Sequence, residues 1–180
     1  MSKSKMPLNQ AQSLAERIVM ELQPATVRIS IAGSIRRRKE EVGDIEIVCI
    51  PLMQLDLFGD PSGSILDIHL EQLAEAGRII KGDKWGRKYK KFHPPSMPDL
   101  SVDLFITTDS EWGYTYTIRT GPADFSRKIV TPRQQGGFLP GHLRVAECRL
   151  WEGATALETP EERDFFKALG KEWVEPEKRI

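Results

Sequence analysis

Net charge is the first thing this chain does not have: 26 lysines and arginines are matched by 26 aspartates and glutamates. Without an overall basic field, any grip on a polyanion must come from charge gathered into patches. Cysteine is scarce as well. Cys49 and Cys148 stand far apart, with no Cys-x-x-Cys spacing and no cysteine or histidine neighbours placed as ligands, which argues against a disulfide framework and a structural zinc site. Both read as small buried apolar residues. The three histidines, His69, His93 and His142, form no triad or ligand spacing and read as structural. No apolar run approaches the about 18 residues that a membrane span needs, and the N-terminal MSKSKMPLNQ has no apolar signal core. A soluble, cytoplasmic monomer with no membrane partner is expected. Internal repeats and low-complexity tracts are missing too.

What is present is patterned. The length of 180 residues suits one ordinary domain or two small lobes. Leu8, Ala11, Leu14, Ala15, Ile18, Val19 and Leu22 recur at helical spacing until Pro24 stops them. VRISIAG then alternates up to Gly33, and DIEIVCI resumes the strand period until Pro51, so the two read as a hairpin or as neighbouring strands. LMQLDLFGDPSGS reads as a loop. A second helix is expected over residues 65–76, closed by Gly77. RIIKGDKWGRKYKKFH follows as two short strand-like runs, and LSVDLFITT as a clean strand. Beyond residue 109 the chain becomes punctuated by Gly and Pro, with a short hairpin around HLRVAECRLW. A last helix is expected to start at a Thr159 cap, with Pro160 in first position and Glu162 in third, and to run toward Leu169. The expected fold class is α/β (α+β): a mixed sheet with flanking helices over residues 1–107, and a smaller α+β lobe over residues 108–180.

Two carboxylates interrupt the apolar strand. Asp44 and Glu46 are two residues apart and point to one face, while Ile45 and Ile47 point to the other. Taken alone, the acids read first as solvated residues on the wet side of a half-covered sheet, as strand Asp and Glu usually are. Together they repel unless a cation neutralises them, and Mg²⁺ or Mn²⁺ suits an all-oxygen cluster. Asp103 sits in a second strand of the same character and supplies a third acid if the strands are neighbours; three such acids make a two-metal site. The turn ahead of the pair favours that reading. Gly33 and Ser34 permit close approach of main-chain donors and a hydroxyl to phosphate oxygens, and Arg36, Arg37 and Arg38 offer planar forks.

GSIRRRKEEVGDIEIV, with VDLFI further on, resembles the palm motif of the family X DNA polymerases, the polymerase beta-like branch of the nucleotidyltransferase superfamily. AERIVMELQP is similar to the helix that opens those palms, TGPADFSRKIV to their Thr-Gly turn and following helix, and TPEERDFFKALGKEWVEPEKR to their thumb segment. Only the first few residues and the 51–64 loop are unmatched. The resemblance implies a minimal palm (residues 1–107) and thumb (residues 108–180), without lyase or fingers domains. It implies that Asp44, Glu46 and Asp103 are catalytic and bind two divalent ions, Mg²⁺ with Mn²⁺ as substitute, Asp103 being closest to the attacking 3′-hydroxyl. Ser34 and Arg37 would hold the β and γ phosphates. Gly33 and Gly43 would let the nucleotide approach, and Arg119, Thr120 and Gly121 would line its site. The implied partners are a deoxynucleoside triphosphate and a primer-template or gapped DNA, and the implied function is filling short gaps in DNA repair.

The chain departs from the family pattern in three places. Glu46 stands where relatives carry Asp, Ile118 and Arg119 where an aromatic pair excludes ribose, and Ser101 where an arginine precedes the third Asp. A basic run interleaved with aromatics, Lys84, Arg87, Lys88, Lys90 and Lys91 with Trp85, Tyr89 and Phe92, suits a DNA backbone, or else a solvated edge strand blunted by lysines. Trp151, Phe165, Phe166 and Trp173 read as a thumb core. Two other functions stay open: a small nucleotidyltransferase acting on a protein, RNA or small molecule, and a nucleotide- or DNA-binding module without turnover.

Overall fold

A two-residue strand, β1 (Met6–Pro7), leads into helix α1 (Leu8–Leu22) in the computed structural model, which describes residues 5–180. Residues 1–4, the first part of the N-terminal stretch read above, lie outside the described residues. Leu14, Leu22, Ala11 and Ala15 form the buried stripe of α1, and Pro24 ends it in a short 3₁₀ turn. Strand β2 (Thr26–Ile31) follows, then a single helical turn α2 (Gly33–Arg36), the short β3 (Glu41–Val42), and the long β4 (Asp44–Pro51).

The chain divides into two compact units, Met1–Thr107 and Thr108–Ile180. In the first, β5 (Met53–Leu55) and β6 (Pro61–Ser64) form a small hairpin where a loop is expected. Its tip is organised by Asp56, whose carboxylate accepts the Phe58 and Asp60 amides at 2.8 and 2.9 Å. Helix α3 (Ile65–Glu75) is capped by the Ser64 hydroxyl accepting from the Asp67 amide, and Gly77 ends it at φ +66°. Strands β7 (Ile80–Trp85), β8 (Tyr89–His93) and β9 (Ser101–Ile106) complete a five-stranded sheet in the order β2-β4-β9-β8-β7. The β4/β9 pair is parallel and the others antiparallel, so the sheet is mixed.

One face of this sheet is packed. Leu14 and Leu22 of α1 and Leu66, Leu70 and Leu73 of α3 share a core with Ile45, Ile47, Val102 and Leu104. Each such side chain contributes about 1.5–3 kcal/mol by leaving water. Cys49 belongs to this core, and burial pushes its thiol up to about 12, so it stays protonated and inert. His69 donates to the Glu21 carbonyl at 2.9 Å and His93 to the Leu100 carbonyl at 3.1 Å, so both serve the framework.

In the second unit, helices α4 (Trp112–Thr120) and α5 (Ala123–Val130) occupy the stretch that the sequence shows as Gly/Pro-punctuated. Strands β10 (Leu143–Ala146), β11 (Arg149–Glu152) and β12 (Thr155–Leu157) form a three-stranded antiparallel sheet, one strand more than expected. Helix α6 (Glu162–Ala168) starts at Glu161 and not at Thr159, because Glu161 and Asp164 close a capping box. The Thr159 backbone is used elsewhere: its carbonyl accepts from Gly113 and its amide donates to Ser110. Gly113 is required there, since a Cβ would collide with the Glu161 carbonyl. Phe125, Ile129, Leu150, Phe165 and Phe166 are buried together, while Trp151 and Trp173 are half-buried.

Cys148 is exposed, contrary to the expectation that both cysteines are buried. Ala146 pairs with Arg149, so Glu147 and Cys148 are the two central residues of a tight hairpin turn, at φ +54° and +64°. Such a turn points both side chains outward.

Candidate active site

The parallel pairing of β4 with β9 sets Asp44 opposite Ser101 and Glu46 opposite Asp103. Neighbouring strands run about 4.8 Å apart, and side chains alternate between faces. Asp44, Glu46, Ser101 and Asp103 therefore share the face that α1 and α3 leave uncovered. All four are kept on it by Ile45, Ile47, Val102 and Leu104, whose burial on the other face fixes the phase of both strands.

The acids share a face without meeting at one point. Among the described residues, no three Asp, Glu, His or Cys side chains converge as a preformed metal cage. Glu46 leans toward the end of β2, where a Cβ on Gly33 would overlap its carboxylate. Asp103 is held from the opposite side, by the Tyr89 hydroxyl donating to Oδ1 at 2.5 Å. In type, the donor set fits a hard divalent cation: three carboxylates and no sulfur or imidazole. In placement, two of the three lie at adjacent register positions, and the third is two residues along the same strand.

The turn between β2 and α2 is tied to the same strand. The Ala32 amide donates to the Glu46 carbonyl at 2.8 Å. Gly33 sits at φ +61°, where side chains are disfavoured, and Glu46 fills the space that a side chain would take. The Arg36 and Arg37 amides are used inside the turn, donating to the Ala32 and Gly33 carbonyls. Those two amides are therefore not available as phosphate donors. The Ser34 hydroxyl does qualify: it is buried and has no hydrogen-bond partner among the described residues. Arg36 and Arg37 are half-buried and Arg38 is exposed. Gly43 differs from Gly33. A Cβ there would meet nothing within 4 Å, so neither crowding nor strain inside the chain requires glycine.

The basic run divides. Lys84, Arg87 and Lys88 are exposed, and Lys91 is half-buried opposite Asp103 on the acid-bearing face. Lys90 does not belong with them. Its register partner is Leu104, which turns it to the helix-covered face, where it is 4% exposed, pairs with Asp67 at 3.2 Å and donates to the Gly86 carbonyl. Phe92 is likewise buried in the core and anchors no ligand. Tyr89 was not marked by the sequence as part of the acid site. The signal was there: it lies two residues before Lys91 on a strand antiparallel to β9, hence on the acid face, with its ring stacked on Phe105 at 5.1 Å. Ser101 is the second such residue, buried beside Asp44 with its hydroxyl unpartnered.

In the second unit, Arg119 is exposed near the end of α4, and Thr120 is buried. Gly121 admits no side chain because Phe125 and Ser126 crowd it.

No protein-family model matches the chain. It is similar to DNA polymerase lambda of Rattus norvegicus, 25% identical over 198 aligned positions that cover 97% of this chain and 33% of that protein. The chain thus spans about a third of the relative's length. A likeness of this size suggests a family X relationship at most. No helix among the described residues is long and apolar enough to cross a membrane.

Proposed function

We propose that this chain is a nucleotidyltransferase that adds deoxynucleotides to a DNA 3′-end, the 3′-oxygen bonding to the α-phosphorus as the α–β bond breaks and pyrophosphate leaves, and that it fills short gaps in repair, with residues 1–107 as palm and residues 108–180 as thumb. The observation that carries the reading is the placement of Glu46 opposite Asp103 on parallel strands, with Asp44 on the same face. The similarity to a DNA polymerase supports it.

In this reading Asp44, Glu46 and Asp103 hold two divalent cations, Mg²⁺ or Mn²⁺. When bound, such ions neutralise the triphosphate and acidify the attacking hydroxyl. Asp103 receives the 3′-hydroxyl proton, and Tyr89 positions its carboxylate. Ser34 donates its hydroxyl to a β or γ phosphate oxygen, and Arg37 adds charge beside it. Gly33 gives Glu46 its room, and the open space before Gly43 admits the nucleotide. Lys84, Arg87, Lys88 and Lys91 contact the DNA backbone; Lys90 is left out because it is paired in the core. Arg119, Thr120 and Gly121 are proposed nucleotide contacts on the family resemblance alone.

The test is extension of a one-nucleotide gapped duplex with each labelled deoxynucleoside triphosphate and Mg²⁺ or Mn²⁺. Template-directed addition that disappears in Asp103→Ala supports the proposal. Transfer that needs no DNA would replace it with a small-substrate enzyme, and nucleotide binding without transfer would replace it with a binding module.

A further inference from the structure

The β5–β6 hairpin serves nothing described so far. Its tip presents Leu57 at 99% and Phe58 at 91% exposure, with Leu55 at 59% beside them. Large apolar side chains set fully in water at adjacent positions mark a surface that meets something. Disorder does not explain them, because the tip is a built turn. The Asp56 carboxylate accepts two amides, the Asp56 amide donates to the Asp60 carbonyl at 2.8 Å, and Gly59 turns at φ +86°. A peptide held in one shape pays little to bind. The fold does not need it either: both strands are largely exposed, and the hairpin is tied to its unit by backbone hydrogen bonds from Leu52 to Ala25 and from Ile65 to Leu52.

Charge and position narrow the occupant. From Leu52 to Ser64 the chain has two acids, Asp56 and Asp60, and no basic residue, so the tip repels DNA and suits an apolar cleft in a basic surrounding. It follows the end of β4 opposite to that carrying Asp44, roughly 20 Å along the strand at ~3.3 Å per residue, so a partner seated there leaves the acids open. A chain with no net charge also has no long-range field to hold it on DNA. A protein that already rides on DNA carries the basic surface that the tip complements, and supplies the tether that the chain lacks.

We propose that residues 54–58, Gln-Leu-Asp-Leu-Phe, are a docking peptide for a DNA-tracking protein, with Leu57 and Phe58 inserted into an apolar cleft and Gln54 and Asp56 meeting its polar rim. The inference rests on the proposed action at DNA ends. Its probes are two purified ring-shaped sliding clamps, one bacterial and one eukaryotic, titrated against the full chain. One of them is expected to bind, and Leu57→Ala/Phe58→Ala to weaken that binding at least ~30-fold while thermal stability and clamp-free extension of a short gap stay unchanged. Failure of both clamps to bind, or binding unaffected by the double substitution, overturns the proposal. So does self-association, or binding to anionic vesicles, that the double substitution abolishes, since a second copy or a membrane is then the occupant. Clamp binding by a chain that shows no extension overturns the proposed function and leaves the docking tip standing; extension without clamp binding does the reverse.

Discussion

The Tyr89 hydroxyl donates to Asp103 Oδ1 at 2.5 Å, across the antiparallel β8/β9 pair, while the Tyr89 ring stacks on Phe105. This one contact fixes the direction of the carboxylate proposed to receive the 3′-hydroxyl proton. Tyr89→Phe keeps the stacking and removes only the donor. We expect a stability loss of about 1 kcal/mol and about tenfold slower nucleotide addition, with gapped-DNA affinity unchanged. Thermal melts, single-turnover rates and a binding titration check the three parts.

Glu46 and Asp103 are like charges at neighbouring register positions, and they repel unless a cation neutralises them. Asp103→Asn removes a charge and keeps the acceptor for Tyr89. Without added cation the variant is expected to melt a few degrees above the parent, equivalent to about 1 kcal/mol, while nucleotide addition is abolished. Mn²⁺ should raise the melting temperature of the parent and not of the variant; equal shifts in both would remove Asp103 from the proposed ligand set.

Gly33 and Gly43 have different reasons for being glycine. Gly33→Ala forces a side chain onto the Glu46 carboxylate at positive φ, and a loss of about 2 kcal/mol or more is expected together with loss of activity. Gly43→Ala meets open space, so stability should stay within ~0.5 kcal/mol. If the nucleotide passes that space, addition falls at least tenfold in the same variant. Full activity in Gly43→Ala would separate this position from the site.

Glu71 on α3 accepts from Lys81 and, at 2.9 Å, from the Trp85 indole on β7, and the Lys81 ammonium holds its carboxyl below the ordinary 4.5. A carboxyl lowered in the folded state stabilises above its unfolded value, and that contribution is lost as pH falls through the folded one. The melting-temperature difference between the parent and Glu71→Gln should therefore be largest above the ordinary carboxyl value and shrink as the pH falls below it.

Glu147 and Cys148 hold a tight turn at φ values that suit Asn and Gly. Glu147→Asn/Cys148→Gly is expected to raise stability by about 1 kcal/mol. A drop in the melting temperature would show that Glu147 contributes more through its contacts than its backbone costs.

Much of the framework was legible because local patterns carry it. The spacing of Leu8, Leu14 and Leu22 predicts α1, and Gly77 marks the end of α3. The failures have local causes too. α4 was hidden because Gly113 and Gly121 punctuate the stretch; it forms because Gly113 lets it pack against the α6 cap. The β5–β6 hairpin was hidden because one carboxylate, Asp56, organises it.

The strand alternation by itself determines that Asp44 and Glu46 share a face, and that a glycine-serine turn and three arginines precede them. Only the tertiary structure decides that β9 lies beside β4 in parallel with Asp103 opposite Glu46, that Tyr89 reaches Asp103, and that Lys90 turns inward to Asp67. The reason is the period of two. It tells which residues of one strand go together, but the phase and register between distant strands are set by which set the helices bury.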